Sequence, residues 1–154
     1  MNVIDALALA RELHAGQVDK AGKPYIWHPV RVMMRLPRGS SDDAKIAALL
    51  HDTIEDCGVS GAALIARGVP PAAVQIVELL TRPTEQGYEQ FIRVIERFGG
   101  DASAVKRADI EDNTDPGRMA EFARISPAKA ALLGARYREA LRVLGGCSAR
   151  GGAT

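Results

Sequence analysis

The stretch from Ser126 to Gly146 constrains the fold most. Ser126-Pro127 reads as a cap followed by a first-turn proline, and Gly145-Gly146 ends the segment. Between them Ala130, Leu133, Tyr137, Leu141 and Leu144 recur at spacings of three and four. A helix of this length with one apolar stripe has to bury that stripe against other elements. The same period recurs upstream. Residues 2–15 carry Val3, Leu7, Ala10 and Leu13 or His14 on one face, and 28–36 reads as a short helix with Pro29 in its first turn. Asp42 and Asp43 open a third helix at its favourable N-terminal end, running through Ile46, Leu49 and Leu50 to residue 56. Further helices are expected at 60–67, from Pro70-Pro71 onward with Val74, Val77 and Leu80 on one face, at 88–98 with Phe91, Ile92, Ile95 and Phe98, and at 101–113 with Ala104, Val105 and Ala108. Segments 16–25 and 82–87 are loops broken by Gly and Pro. The expectation is a compact all-α domain of about eight helices over 1–146, with a frayed tail at 147–154.

Composition supports helix over strand, because aromatics are only 5% of the chain while Ala and Leu are common. At 154 residues the chain is long enough for one domain with a core of its own. A net charge of +1 gives no electrostatic case for nucleic acid or an acidic membrane surface as partner. Cys57 and Cys147 lie far apart without CxxC spacing and read as free thiols of a reducing compartment. The N-terminus has Asp5 and no basic run, which argues against a signal peptide. No apolar run approaches the ~20 residues that span a bilayer. The expected location is the cytoplasm. Nothing in the sequence fixes an oligomeric state.

The chemistry gathers in "AALLHDTIEDC", residues 47–57. On a continuous helix His51 and Glu55 share one row, and Asp52 and Asp56 the next. Imidazole and carboxylate suit Mn²⁺, Fe²⁺ or Zn²⁺. Two ligands do not complete a shell. His28, at a His-Pro helix start, and Asp109, which follows an apolar stripe in "KRADIEDN", are candidates to complete a His₂Asp₂ set. Glu55 and Asp56 would then be left to handle water and protons. Spacing alone leaves a plain alternative equally open: His51-Asp52 as a solvated helix end, and Asp109, Glu111, Asp112 and Asp115 as a solvated acidic face. By the same reasoning His14 is a structural histidine, Lys106 and Arg107 are surface cations, and Met33 and Met34 belong to core or helix surface.

Order and context favour the metal reading. "HAGQVDKAGKPYIWHPVRV", "AALLHDTIED" and "VKRADIEDN" together resemble the hydrolase domain of the Rel/Spo alarmone enzymes, and especially the small free-standing alarmone hydrolases of the HD phosphohydrolase superfamily. The resemblance covers about residues 5–115. It implies an all-α HD fold, with one Mn²⁺ on His28, His51, Asp52 and Asp109 and a catalytic acidic pair on Glu55 and Asp56. It further implies substrate contacts from Lys20, Tyr25 and Asn113, the last to ribose. The implied reaction removes the 3′-pyrophosphate of (p)ppGpp to give GDP or GTP and pyrophosphate. Alternatives are an HD phosphohydrolase of another nucleotide (NADPH losing its 2′-phosphate, or a nucleoside monophosphate) and a nucleotide-binding HD domain without turnover. The chain departs from the family at Asp19, where an Arg that stacks on guanine is common. Asp19 can accept hydrogen bonds from guanine N1 and N2 but cannot stack. "IEDNTDPGRMAEFARIS" also differs from the apolar stretch usual there.

Overall fold

The structure, a computed structural model, describes residues 1–19 and 22–145. Lys20, Cys147 and the tail expected at 147–154 lie outside the described residues. Ten helices follow one another among the described residues: α1 (Val3–Leu13), α2 (Trp27–Met34), α3 (Asp42–Leu50), α4 (Thr53–Cys57), α5 (Gly61–Ala66), α6 (Pro71–Leu80), α7 (Tyr88–Phe98), α8 (Gly100–Asn113), α9 (Pro116–Ile125) and α10 (Pro127–Gly145). Among the described residues the one extended pairing is an isolated antiparallel bridge between Val18 and Pro24. The all-α class is as expected.

The count exceeds the expected eight for two local reasons. The helix expected over 42–56 breaks at His51-Asp52, where side chains take over the carbonyls that the end of α3 leaves unpaired. His51 Nδ1 lies 2.9 Å from Ala48 O, and Thr53 Oγ1 donates to Leu50 O at 2.7 Å. The other addition is α9, which Asp115 caps by accepting from the backbone N–H of Gly117 and Arg118, with Pro116 in the first turn. The Asp-Pro signal was there to be read. The apolar stripe was not, because α9 has no buried residue.

Helix α3 is the centre of the molecule. Ser41 caps it, and Ala44, Ile46, Ala47, Ala48, Leu49 and Leu50 are all buried. Beyond its charged first turn the helix is apolar on nearly every side and must be covered there, and α1, α2, α6 and α8 pack on it. One core cluster joins Val32, Phe91, Ile92, Ile95, Val105 and Ile110, and another joins Leu9, Ile46, Leu49, Leu50, Leu64 and Val77. Each such side chain contributes about 1.5–3 kcal/mol by leaving water. Leu50→Ala, directly before His51, would cost about 2–5 kcal/mol. Beyond the site, Gly58 at φ 68° closes α4 in the left-handed conformation. No described helix is long and apolar enough to cross a membrane.

Candidate metal centre and adjoining cleft

Three buried elements deliver side chains to one point. The end of α3 supplies His51 and then Asp52, the first turn of α2 supplies His28, and α8 supplies Asp109. Local hydrogen bonding sets the state of each ring. The carbonyl of Ala48 can only accept, so His51 Nδ1 is the donor and Nε2 carries the lone pair of the neutral ring. Likewise Asp112 accepts from His28 Nδ1 at 2.9 Å, which leaves His28 Nε2 facing the cluster. His28 Nε2 is 3.3 Å from Asp109 Oδ1 and 3.6 Å from Asp52 Oδ2. His51 Nε2 is 3.0 Å from Asp52 Oδ2 and 3.7 Å from Asp109 Oδ1.

This donor set fits a divalent ion. One ligand atom each from His28, His51 and Asp52 lies within 4.8 Å of the others. His51 Nε2 is buried and has no hydrogen-bond partner. Neutral imidazoles with carboxylates suit transition ions. The electrostatics agree with the geometry. Burial opposes charge on His51, but Asp52 and Asp109 outweigh it and hold its pKa well above 6.5. His28 is raised too, with burial again overridden by Asp109 and Asp112. Burial would push the Asp109 carboxyl up, yet Lys106 and the two histidines hold it well below 3.8. Asp52 is a quarter exposed, and His51 holds it down to about 2 against its partial burial. The cluster is a place where positive charge is favoured, and a metal would compete there with histidine protons.

The remaining expected residues fall in different places. Tyr25 gives its hydroxyl to Asp52 Oδ2, so it holds a candidate ligand. Burial and the Asp52 charge keep its proton on. Asn113 donates to Asp109 Oδ1 at 2.6 Å. Asp56 is exposed on α4, and its pKa is raised by partial burial and by the charge of Asp52. Glu55 is exposed and, among the described residues, makes no hydrogen bond or ion pair with the cluster. Lys20 lies outside the described residues. His14 is buried, bonded to Gln17 at 2.7 Å and tilted against the Tyr25 ring. Met33 packs on the core and Met34 is exposed.

Two of the plain surface readings fail. Asp112 is not on a solvated face but is fully buried. His28 donates to it, and two guanidinium groups neutralise it, Arg31 of α2 at 2.8 Å and Arg35 just beyond α2 at 3.3 Å. The three-residue step from Asp109 to Asp112 puts both on the inward face of α8, and the basic residues of "HPVRVMMR" were the available signal. Lys106 is not a surface cation either. Its side chain is 14% exposed, with Nζ 2.8 Å from Asp109 Oδ2 and 5.4 Å from the centre of the Phe91 ring. Arg107 does lie at the surface, paired with Glu111 at 3.2 Å.

A cleft opens beside the cluster between Asp19 and Lys23 on one side and α9 and α10 on the other. Asn113 is shared between the two, lining the cleft and touching Asp109. Met119, Phe122, Leu133 and Tyr137 give the cleft an apolar lining, and Asp19, Lys23, Arg118 and Glu121 a charged one. It is a shallow cleft open to solvent, and the centres of water-sized spheres can occupy about 50 Å³ inside it, room for a few waters.

Comparison with known proteins is consistent with this arrangement. The chain is 44% identical over 59 residues to the guanosine-3′,5′-bis(diphosphate) 3′-pyrophosphohydrolase of Borreliella burgdorferi, covering 38% of this chain and 9% of that protein. It is 53% identical over 55 residues to the putative chloroplastic GTP diphosphokinase RSH1 of Oryza sativa, covering 35% and 6%. It is 48% identical over 52 residues to the bifunctional (p)ppGpp synthase/hydrolase SpoT of Escherichia coli, covering 33% and 7%. The matched stretches are thus under a tenth of those relatives' length. A solved structure, described as a metazoan ortholog of SpoT that hydrolyzes ppGpp, shares the fold with a TM-score of 0.61 at 21% identity, over 91% of this chain and 93% of that one. Residues 6–112, which hold all four converging side chains, match the HD domain, a metal-dependent family to which this chain belongs.

Proposed function

We propose that the protein is a Mn²⁺-dependent hydrolase that removes the 3′-pyrophosphate of (p)ppGpp, giving GDP or GTP and pyrophosphate. The observation that carries this reading is the convergence of His28, His51, Asp52 and Asp109, with both imidazoles locked so that Nε2 faces the common point. The names of the relatives supply the substrate, and the adjoining cleft offers a nucleotide both an apolar and a charged lining. Those four residues would hold the ion, and two imidazoles with two carboxylates support Mn²⁺. When bound, the ion supplies Lewis-acid polarisation of a phosphoryl oxygen and acidifies water at neutral pH.

The protein's own groups do the rest. Tyr25 and Asn113 orient Asp52 and Asp109 through their hydrogen bonds. Asp56, with its raised pKa, and Glu55 take the proton of the attacking water. The new bond forms from water oxygen to the phosphorus carried on O3′, and the bond from that phosphorus to O3′ breaks. The acidic pair then returns the proton to O3′. This reading expects a cytoplasmic protein.

The test is a substrate panel with Mn²⁺ and the purified protein, scoring pyrophosphate against phosphate. Pyrophosphate and GDP from ppGpp are expected, in equal amounts. Phosphate from NADPH or a nucleoside monophosphate, with ppGpp untouched, would replace this reading by the corresponding phosphatase.

A further inference from the structure

Arg118 stands at the junction of cleft and cluster. It lines the cleft, its Nη1 donates to Asp19 Oδ2 at 3.3 Å, and its Nε is 3.9 Å from Asp112 Oδ2. Two carboxylates from different elements thus fix a fork of five donors. Its ion pair with Asp19 offsets its charge. A neutralised, oriented guanidinium is a poor clamp for phosphate but a good reader of a neutral acceptor edge.

Asp19 does not do the reading. Its Oδ1 accepts from the backbone N–H of Lys23 at 3.0 Å and its Oδ2 from Arg118. Its backbone N–H donates to Lys23 O at 2.8 Å, so Asp19 ties the loop together and holds Arg118. The apolar lining of Phe122, Leu133 and Tyr137 suits the face of a base, and the phosphate end belongs at the metal cluster beyond Asn113.

We infer that Arg118 is a specificity-determining residue that reads the acceptor edge of a 6-oxopurine, and that Asp19 is its positioning residue. Guanine and hypoxanthine offer O6 and N7 to such a fork, a favoured bidentate pairing. Adenine puts an amine in place of O6, so a donor meets a donor. The inference rests on the cleft holding a nucleotide, but it does not need the hydrolysis proposed above.

The test is therefore binding of GDP, IDP and ADP to the full chain in Mn²⁺, by calorimetry. The wild type is expected to hold GDP and IDP about equally, each roughly tenfold or more tighter than ADP. R118Q and R118K should bring GDP and IDP to the ADP level, R118K because a lysine lacks the planar fork. D19N should lose part of the preference, and D19N/R118Q no more than R118Q. Unchanged helix content and melting temperature in R118K would show that folding is not the cause. The inference is overturned if the wild type does not prefer GDP, if IDP binds as weakly as ADP, or if R118Q and R118K keep the preference. A wild type that prefers GDP and IDP but releases no pyrophosphate from ppGpp would overturn the proposed reaction and leave Arg118 in its role.

Discussion

Asp112, fully buried on α8, accepts the Nδ1 proton of His28 at 2.9 Å and so fixes which nitrogen of His28 faces the cluster. It is also the anchor for Arg31 and Arg35. A carboxylate behind a metal-ligating histidine sets the tautomer, fixes the ring and raises ligand basicity. Asp112→Asn keeps the shape but weakens the acceptor. Metal affinity is expected to fall about 10–100-fold, as measured by competition with a metal-sensitive dye, with helix content retained. Wild-type affinity in this variant would mean that the ring is held without Asp112.

Glu55 and Asp56 stand apart from the four converging residues in the fold. They sit on the exposed side of α4, and neither is needed to complete the donor set. Glu55→Gln and Asp56→Asn should therefore keep stoichiometric Mn²⁺ and lose turnover by ~10²–10⁴-fold, the worth of a general acid–base group. Single-turnover rates beside metal analysis separate the two effects. Loss of metal in either variant would move that residue into the shell.

The sequence made the helices legible because stripes and caps are local. α10 and α7 could be read from spacing alone, and α3 from its unbroken apolar run. The break after Leu50 could not, because it depends on His51 and Thr53 bonding back to carbonyls of α3. The donor set could be listed from residue types and motif order, but its closure depends on α2 and α8 packing on α3. The burial of Asp112 and Lys106 was not legible for the opposite reason. Charged residues usually face water, and only tertiary structure reveals that these two are buried against opposite charges.

Tyr88 carries a buried hydroxyl without a hydrogen-bond partner, while Arg136 stacks 4.1 Å from its ring centre. Burial raises its pKa to about 12, against the opposing charge of Lys106. The folded state thus favours the protonated phenol. Its contribution is complete below the unfolded value near 10 and is lost as pH rises towards 12. Tyr88→Phe removes an unsatisfied polar atom and keeps the ring, so stability at neutral pH should be unchanged or higher. Urea titrations from pH 8 upward should also give a shallower alkaline decline than the wild type. A large loss at neutral pH would mean that the hydroxyl has a partner after all.

Lys106 and Asp109 make a half-hidden ion pair at 2.8 Å directly behind the cluster, and removing the lysine should act with opposite signs on the two states of the protein. Without metal, Lys106→Met leaves Asp109 facing Asp52 with only the histidines to balance both. Breaking a buried pair from one side costs on the order of 3–5 kcal/mol, so the metal-free protein should melt markedly lower. With metal the balance reverses, because Asp109 no longer shares its charge with the lysine and the cluster attracts a cation more strongly. Ligand binding to the folded state adds stability that grows with affinity. The rise in melting temperature on adding saturating Mn²⁺ should therefore be larger in Lys106→Met than in the wild type. Thermal melts in chelator and in excess Mn²⁺ measure both quantities in one series. An equal rise in both proteins would show that Lys106 supports the fold without tuning the cluster. A smaller rise would mean that the lysine positions Asp109 for the metal, and the charge argument would be wrong.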